Sequence, residues 1–153
     1  MSEIRAKLVL TNAYDEMSAE KGLIKPGEVR RVEVEGLVDT GAVMLLIPQD
    51  LKEALGLEAT GKVIAVYADE RKEELEKAGP VKVEIKGRSV VTECLVGPPT
   101  CEVLIGHVIL EMLDLIPDPV RGELLPRPES PFLPQLKMKR LQETSSPPLP
   151  YLH

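Results

Sequence analysis

The chain is poor in the residues from which metal sites and nucleophilic triads are built: 153 residues include two cysteines and two histidines. Cys94 and Cys101 belong to no CxxC pair with histidines at finger spacing, which leaves structural zinc without support. They read as free thiols near a strand and its following loop. His153 is the last residue, so a Ser-His-Asp or Cys-His device would rest on His107 alone, with no nucleophile placed by any motif. His107 reads instead as the first residue of a helix. No metal or cofactor is expected.

Positive charge is also scarce. The net charge is -6, and no basic cluster is denser than Lys137-Met138-Lys139-Arg140, so the electrostatic footprint of a nucleic-acid binder is missing. Long apolar runs are missing too. The stretch MSEIRAKLVLTNAYDEM has no apolar core of signal-peptide length, and no segment approaches the roughly 20 apolar residues that span a bilayer. The expectation is a soluble cytoplasmic protein with neither nucleic acid nor membrane as partner.

What is present suits one domain: 43% of the residues are hydrophobic, enough for a single core in a chain too short to expect two. IRAKLVLTNA reads as a strand with Ile4, Ala6, Leu8 and Leu10 on one face, YDEMSAEKGLIKPG as a polar loop, and EVRRVEVEG as a half-solvated strand. PQDLKEALGLE suits a short helix: Pro48 fits its first turn, Leu51, Ala54 and Leu55 form a stripe, and Gly56 takes the left-handed cap. KVIAVY, PVKVEIK and SVVTECLV read as hairpin strands, with Gly87-Arg88 as a turn. Between the first two, ADERKEELEKAG reads either as a helical turn or as a charged hairpin tip. EVLI then reads as a buried strand, and HVILEMLDL as a helix with Ile109, Met112, Leu113 and Ile116 on one side. Many strands with one or two short helices predict a mainly β domain over residues 1–125. PVRGELLP is compatible with an added edge strand. Nine of the fourteen prolines lie at or beyond Pro117, and residues 126–153 read as a Pro-rich tail, extended or disordered.

One stretch conflicts with this quiet pattern. In GLVDTGAVMLLIP, residues 36–48, a carboxylate is set among aliphatic residues, where an unpaired buried charge costs several kcal/mol, on the order of a small domain's stability. Asp-Thr-Gly between two strands can be simply a turn. The alternative is that Asp39 does chemistry.

The order of an apolar pair, Asp39-Thr40-Gly41-Ala42, an apolar strand ending at Ile47-Pro48, hairpins, and then Leu104-Ile105-Gly106 leading into a helix resembles the retropepsin-like aspartic proteases, in their small single-domain bacterial form. The resemblance runs from about Val32 to about Gly122. It implies a closed β-barrel or sandwich and an endopeptidase in which water is activated between two aspartates sharing one proton. One carboxylate takes the water's proton while the other serves the substrate carbonyl, with no covalent enzyme species. The chain carries a single Asp-Thr-Gly, so the resemblance implies a C2 homodimer with a second Asp39 supplied by the symmetry mate. It gives Thr40 the brace between the two catalytic loops, Gly41 the close backbone approach, and Gly106 the tight packing beneath the loop. Ala42 and, in the flap hairpin, Ala68 and Asp69 fall at positions that contact a peptide substrate. The family often has Ala-Asp-Gly where this chain has Ala68-Asp69-Glu70, so a different turn is expected at the flap tip. A non-hydrolytic, protease-like module that dimerises and binds peptide is the alternative function.

Overall fold

A computed structural model describes residues 3–138. Residues 1–2 and 139–153 lie outside the described residues, and with them the later part of the tail, Lys139-Arg140 of the basic cluster, and His153.

The first strand, β1 (Arg5–Asn12), buries Leu8 and Leu10 as its alternation requires. It runs antiparallel to β2 (Arg31–Val38), from Arg5↔Leu37 to Thr11↔Arg31. The link between them is not a loop throughout: it contains helix α1 (Ala13–Glu20). Its first turn is capped by Asn12, whose side-chain oxygen accepts from the Asp15 amide at 3.0 Å. Helix α1 buries none of its residues, so no apolar stripe advertises it and only the cap announces it.

After β3 (Leu46–Pro48) comes α2 (Gln49–Leu55), with Leu51 and Leu55 buried, Ala54 outside that face, and Gly56 in the left-handed cap at φ 63°. A long hairpin follows, β4 (Glu58–Val66) and β5 (Lys72–Ile85). The charged segment that read as a helical turn or a hairpin tip is a tip at Tyr67–Arg71, followed directly by strand. Ladder register shifts between Ala78 and Val81, around Pro80, which has no amide to contribute. Strand β6 (Arg88–Gly97) returns after a tight turn made by Lys86 (φ 54°) and Gly87 (φ 77°). The turn is therefore one residue earlier than Gly87-Arg88, and Arg88 is a buried strand residue.

The chain closes with β7 (Leu104–Ile105), α3 (His107–Leu113) and a hairpin of β8 (Leu115–Asp118) and β9 (Glu123–Pro126). Among the described residues three α-helices stand where one or two were expected. Helix α3 buries Ile109, Leu110 and Leu113, while Met112 and Ile116 face outward, and Ile116 belongs to β8. PVRGELLP contributes β9, paired with β8 rather than with the main sheet.

Strands β1, β2, β7, β3, β6 and β5 form a ring that closes because β5 also pairs with β1, giving a six-stranded barrel with β4 attached outside β5. A mainly β, closed-barrel fold is thus present as expected. Its interior is aliphatic: Leu8, Leu10, Leu45, Ile47, Val83, Ile85 and Ile105 are nearly or fully excluded from solvent. Helix α3 adds Ile109 and Leu113 to the same core. Closure uses both edges of β1 over Val9–Thr11, whereas Arg5–Leu8 pair on the β2 side alone.

Candidate active site

Asp39 stands one residue beyond β2. That strand lies parallel to β7 at Leu37↔Leu104 and Val38↔Ile105, and Asp39 extends the pairing by donating its amide to the Ile105 carbonyl at 3.0 Å. Gly36, just upstream, is buried. A methyl group there would lie 3.0 Å from the Ile105 side chain and 3.1 Å from that of Leu8, so its absence lets β2 pass close to the core.

The loop after Asp39 is fixed on both sides. The Ala42 amide donates to the Asp39 carbonyl at 3.1 Å, making a tight turn, and the Gly41 amide donates to Asp39 Oδ1 at 3.0 Å. The carboxylate is therefore oriented by its own loop. The residue is half-buried rather than enclosed, which resolves the conflict in the sequence: Leu45 and Ile47 fill the barrel while the carboxylate, like exposed Val43, sits at its rim.

The other side is held by α3. Its first two amides, of His107 and Val108, donate to the carbonyls of Ala42 at 2.8 Å and Val43 at 3.1 Å. The His107 ring adds Nδ1 at 3.1 Å from the same Ala42 oxygen. This approach requires a glycine at 106. A methyl group there would come within 2.6 Å of the Val43 carbonyl oxygen and 2.5 Å of that of Met44.

The structure thus joins Asp39, Gly41 and Ala42 by hydrogen bonds, with Gly106 packed against the Val43 and Met44 backbone beside them. Thr40 is exposed, and its hydroxyl has no partner among the described residues. Ala42 has both backbone polar groups engaged within the chain, its amide by Asp39 and its carbonyl by His107.

Ala68 and Asp69 lie elsewhere, exposed at the β4–β5 tip, and make no hydrogen bond to the Asp39 loop among the described residues. The tip is a three-residue loop. Tyr67 and Arg71 face each other through a 2.9 Å amide-to-carbonyl bond, Glu70 donates to the Tyr67 carbonyl at 2.9 Å, and the Asp69 side chain accepts from the Arg71 amide at 3.1 Å. Glu70 takes the left-handed seat at φ 66°, the position such loops usually give to glycine. The Arg71 guanidinium lies 4.6 Å over the Tyr67 ring, and the Tyr67 hydroxyl donates to Glu73 at 3.1 Å.

Asp114, which the sequence pattern does not single out, organises the end of the fold. It caps α3 in the left-handed conformation at φ 55°. Its carboxylate accepts from the Arg127 guanidinium, the Ser130 hydroxyl and, at 2.8 Å, the Gln135 amide. Arg127 above all, then Ser130 and Gln135, holds the Asp114 carboxyl well below the usual carboxylate range. The buried Arg88 donates to the carbonyls of Leu113 and Asp114, each at 3.0 Å, and to that of Ser130. The first residues assigned to the tail are thereby fastened to the barrel.

Searches of family models and of curated proteins return no match for this chain.

Among the described residues no three His, Cys, Asp or Glu side chains cluster as a metal site would need. Burial pushes the Cys94 thiol up to about 12 and raises that of Cys101, so neither is poised as a thiolate. No helix among the described residues is long and apolar enough to cross a membrane.

Proposed function

We propose that the protein is a retropepsin-like aspartic endopeptidase that works as a C2 homodimer, with a water held between the two Asp39 carboxylates. The observation that carries this reading is the Asp39 loop itself. A half-exposed carboxylate at a barrel rim has one oxygen fixed by the Gly41 amide and is anchored from behind by the N-terminus of α3 packed over Gly106. Such fixing suits a group that must meet a reacting water at a defined place.

In this reading two like charges brought close retain one proton between them. The ionised Asp39 takes a proton from the water as it attacks the peptide carbonyl, and the protonated one gives a hydrogen bond to the developing oxyanion. The proton then passes to the leaving amine. Thr40 is exposed, its hydroxyl without a partner among the described residues, and in this reading it bonds across the axis. The substrate lies extended beneath the β4–β5 hairpin, its apolar side chains filling alternate pockets.

A second reading, a dimeric peptide-binding module with little turnover, is favoured by the flap tip. Arg71 and Glu73 both engage Tyr67 there, and Glu70 occupies a seat that suits glycine better. Digestion of a peptide library from acid to neutral pH separates the two readings. The endopeptidase cleaves, best at acid pH, and Asp39→Asn does not; absent cleavage in both, or equal cleavage in both, defeats the first reading.

A further inference from the structure

We propose that the groove between α3 and residues 127–138 is where a second copy of this chain docks, with Glu111 of each protomer set against Lys137 of the other. The proposal rests on the homodimeric reading of Asp39, and it names the surface that assembles the site.

Residues 127–138 contain no strand or helix, yet their path is pinned. Arg127, Ser130 and Gln135 all bind the Asp114 carboxylate, and the Gln135 side chain returns to the Glu129 carbonyl at 2.8 Å. Past Gln135 the chain forms one wall of an open groove of about 640 Å³ whose other wall is α3 and the start of β8. The walls are apolar and poorly covered: Met112 is 42% exposed, Ile116 38%, Leu136 49% and Met138 84%. Bare apolar surface gathered along one groove is the mark of a contact face rather than of scattered surface residues.

Two features of the groove select a second copy as its occupant. The groove's lining includes His107, the first residue of α3, whose ring and amide hold the Ala42 carbonyl, so the groove adjoins the Asp39 loop. Exposed Val108 and Val43 continue the apolar surface to that loop. If a two-fold axis passes between the Asp39 carboxylates, the surface beside the loop meets its own copy. The groove is also self-complementary in charge. Glu111 and Lys137 stand on its walls, and neither joins an ion pair among the described residues. In an isologous contact each is offered the opposite charge. The flap hairpin supplies no residue to this groove, so it is separate from the place where a substrate strand would lie.

The test uses the full chain, with sedimentation velocity over a concentration series alongside peptide cleavage. Glu111→Lys and Lys137→Glu, both surface changes, should each weaken the dimer about tenfold at low salt, and combining the two reversals should restore it to within about threefold of wild type. Ile116→Asp, checked by thermal melting for an intact fold, should be monomeric at micromolar concentration. A wild-type monomer, or all variants dimerising like wild type, overturns the proposal. Asp39-dependent cleavage that persists in those variants shows that the peptidase reading survives without it. Conversely, rescue by the double reversal with equal cleavage by wild type and Asp39→Asn leaves the docking surface standing and removes the peptidase.

Discussion

Gly106 and Val43 stand closer than any side chain would allow: a methyl group on Gly106 would sit 2.6 Å from the Val43 carbonyl oxygen. Gly106→Ala must therefore push α3 off the Asp39 loop or distort that loop. The expected cost is about 1–3 kcal/mol of stability, the range for overpacking a close contact. Cleavage should be lost even at temperatures where the variant remains folded, because the anchoring of Ala42 and Val43 sets where the carboxylate points. Thermal melting paired with peptide cleavage checks both parts, and an active, equally stable Gly106→Ala protein would show that this contact does not position the loop.

At the β4–β5 tip, Glu70 holds a left-handed conformation that costs a non-glycine residue about 1–2 kcal/mol. Glu70→Gly removes that strain but adds unfolded-state entropy worth about 0.5–1 kcal/mol. Its melting temperature should stay level or rise slightly, whereas Glu70→Val should fall, a β-branched residue being an outlier at positive φ. If the hairpin covers substrate, Glu70→Gly alters KM more than kcat. Steady-state kinetics on one cleaved peptide, with melting curves of both variants, reads these outcomes.

Acid stability follows from Asp114. A carboxyl whose folded pKa is depressed contributes stability that is fully present above its unfolded value, about 3.9 for aspartate, and is lost as pH falls through the folded value. The Asp114 carboxyl lies well below the usual range when folded, chiefly through Arg127. The clasp on residues 127–135 is therefore intact at mildly acid pH and weakens only in stronger acid. Asp114→Asn should melt lower than wild type at neutral pH. It should also show a shallower fall in melting temperature between about pH 4 and pH 2, since it has no such carboxylate to protonate. Parallel pH profiles for the two proteins would rule out this role.

Asn12 joins two elements. Its oxygen caps α1 through the Asp15 amide, and its amide group donates to the Leu55 carbonyl of α2 at 2.9 Å from a buried position. Asn12→Ala should cost about 2 kcal/mol, combining a lost cap with an unsatisfied buried carbonyl. Denaturant titration gives the value. Asn12→Ser, which keeps a capping oxygen but not the reach to Leu55, should fall between the two.

Much of this was legible in the sequence because it rests on local rules. Alternation in IRAKLVLTNA and EVRRVEVEG placed β1 and β2, Gly56 ended α2, and the Asp39 and Gly106 stretches are one hydrogen-bonded unit. What was not legible depends on contacts distant in sequence. Helix α1 buries nothing and so carries no period, and Arg88 looked like part of a turn because its carbonyl partners lie 25 to 42 residues away. The same holds for Asp114, whose partners Arg127, Ser130 and Gln135 sit in a Pro-rich stretch that composition alone assigns to a tail. His107 was read as a helix start, which it is; the ring's bond to Ala42 appears only once the loop and helix meet.

The central claim is that one active site is built from two copies of Asp39, and a subunit-mixing experiment tests it most directly. Wild type and Asp39→Asn are mixed in equal amounts under conditions that allow exchange, and peptide cleavage is measured per total chain. A site shared across a two-fold axis retains about one quarter of the wild-type activity, because only dimers with two carboxylates turn over. Retention of about one half, the result for sites that each reside in a single chain, would contradict the shared dyad.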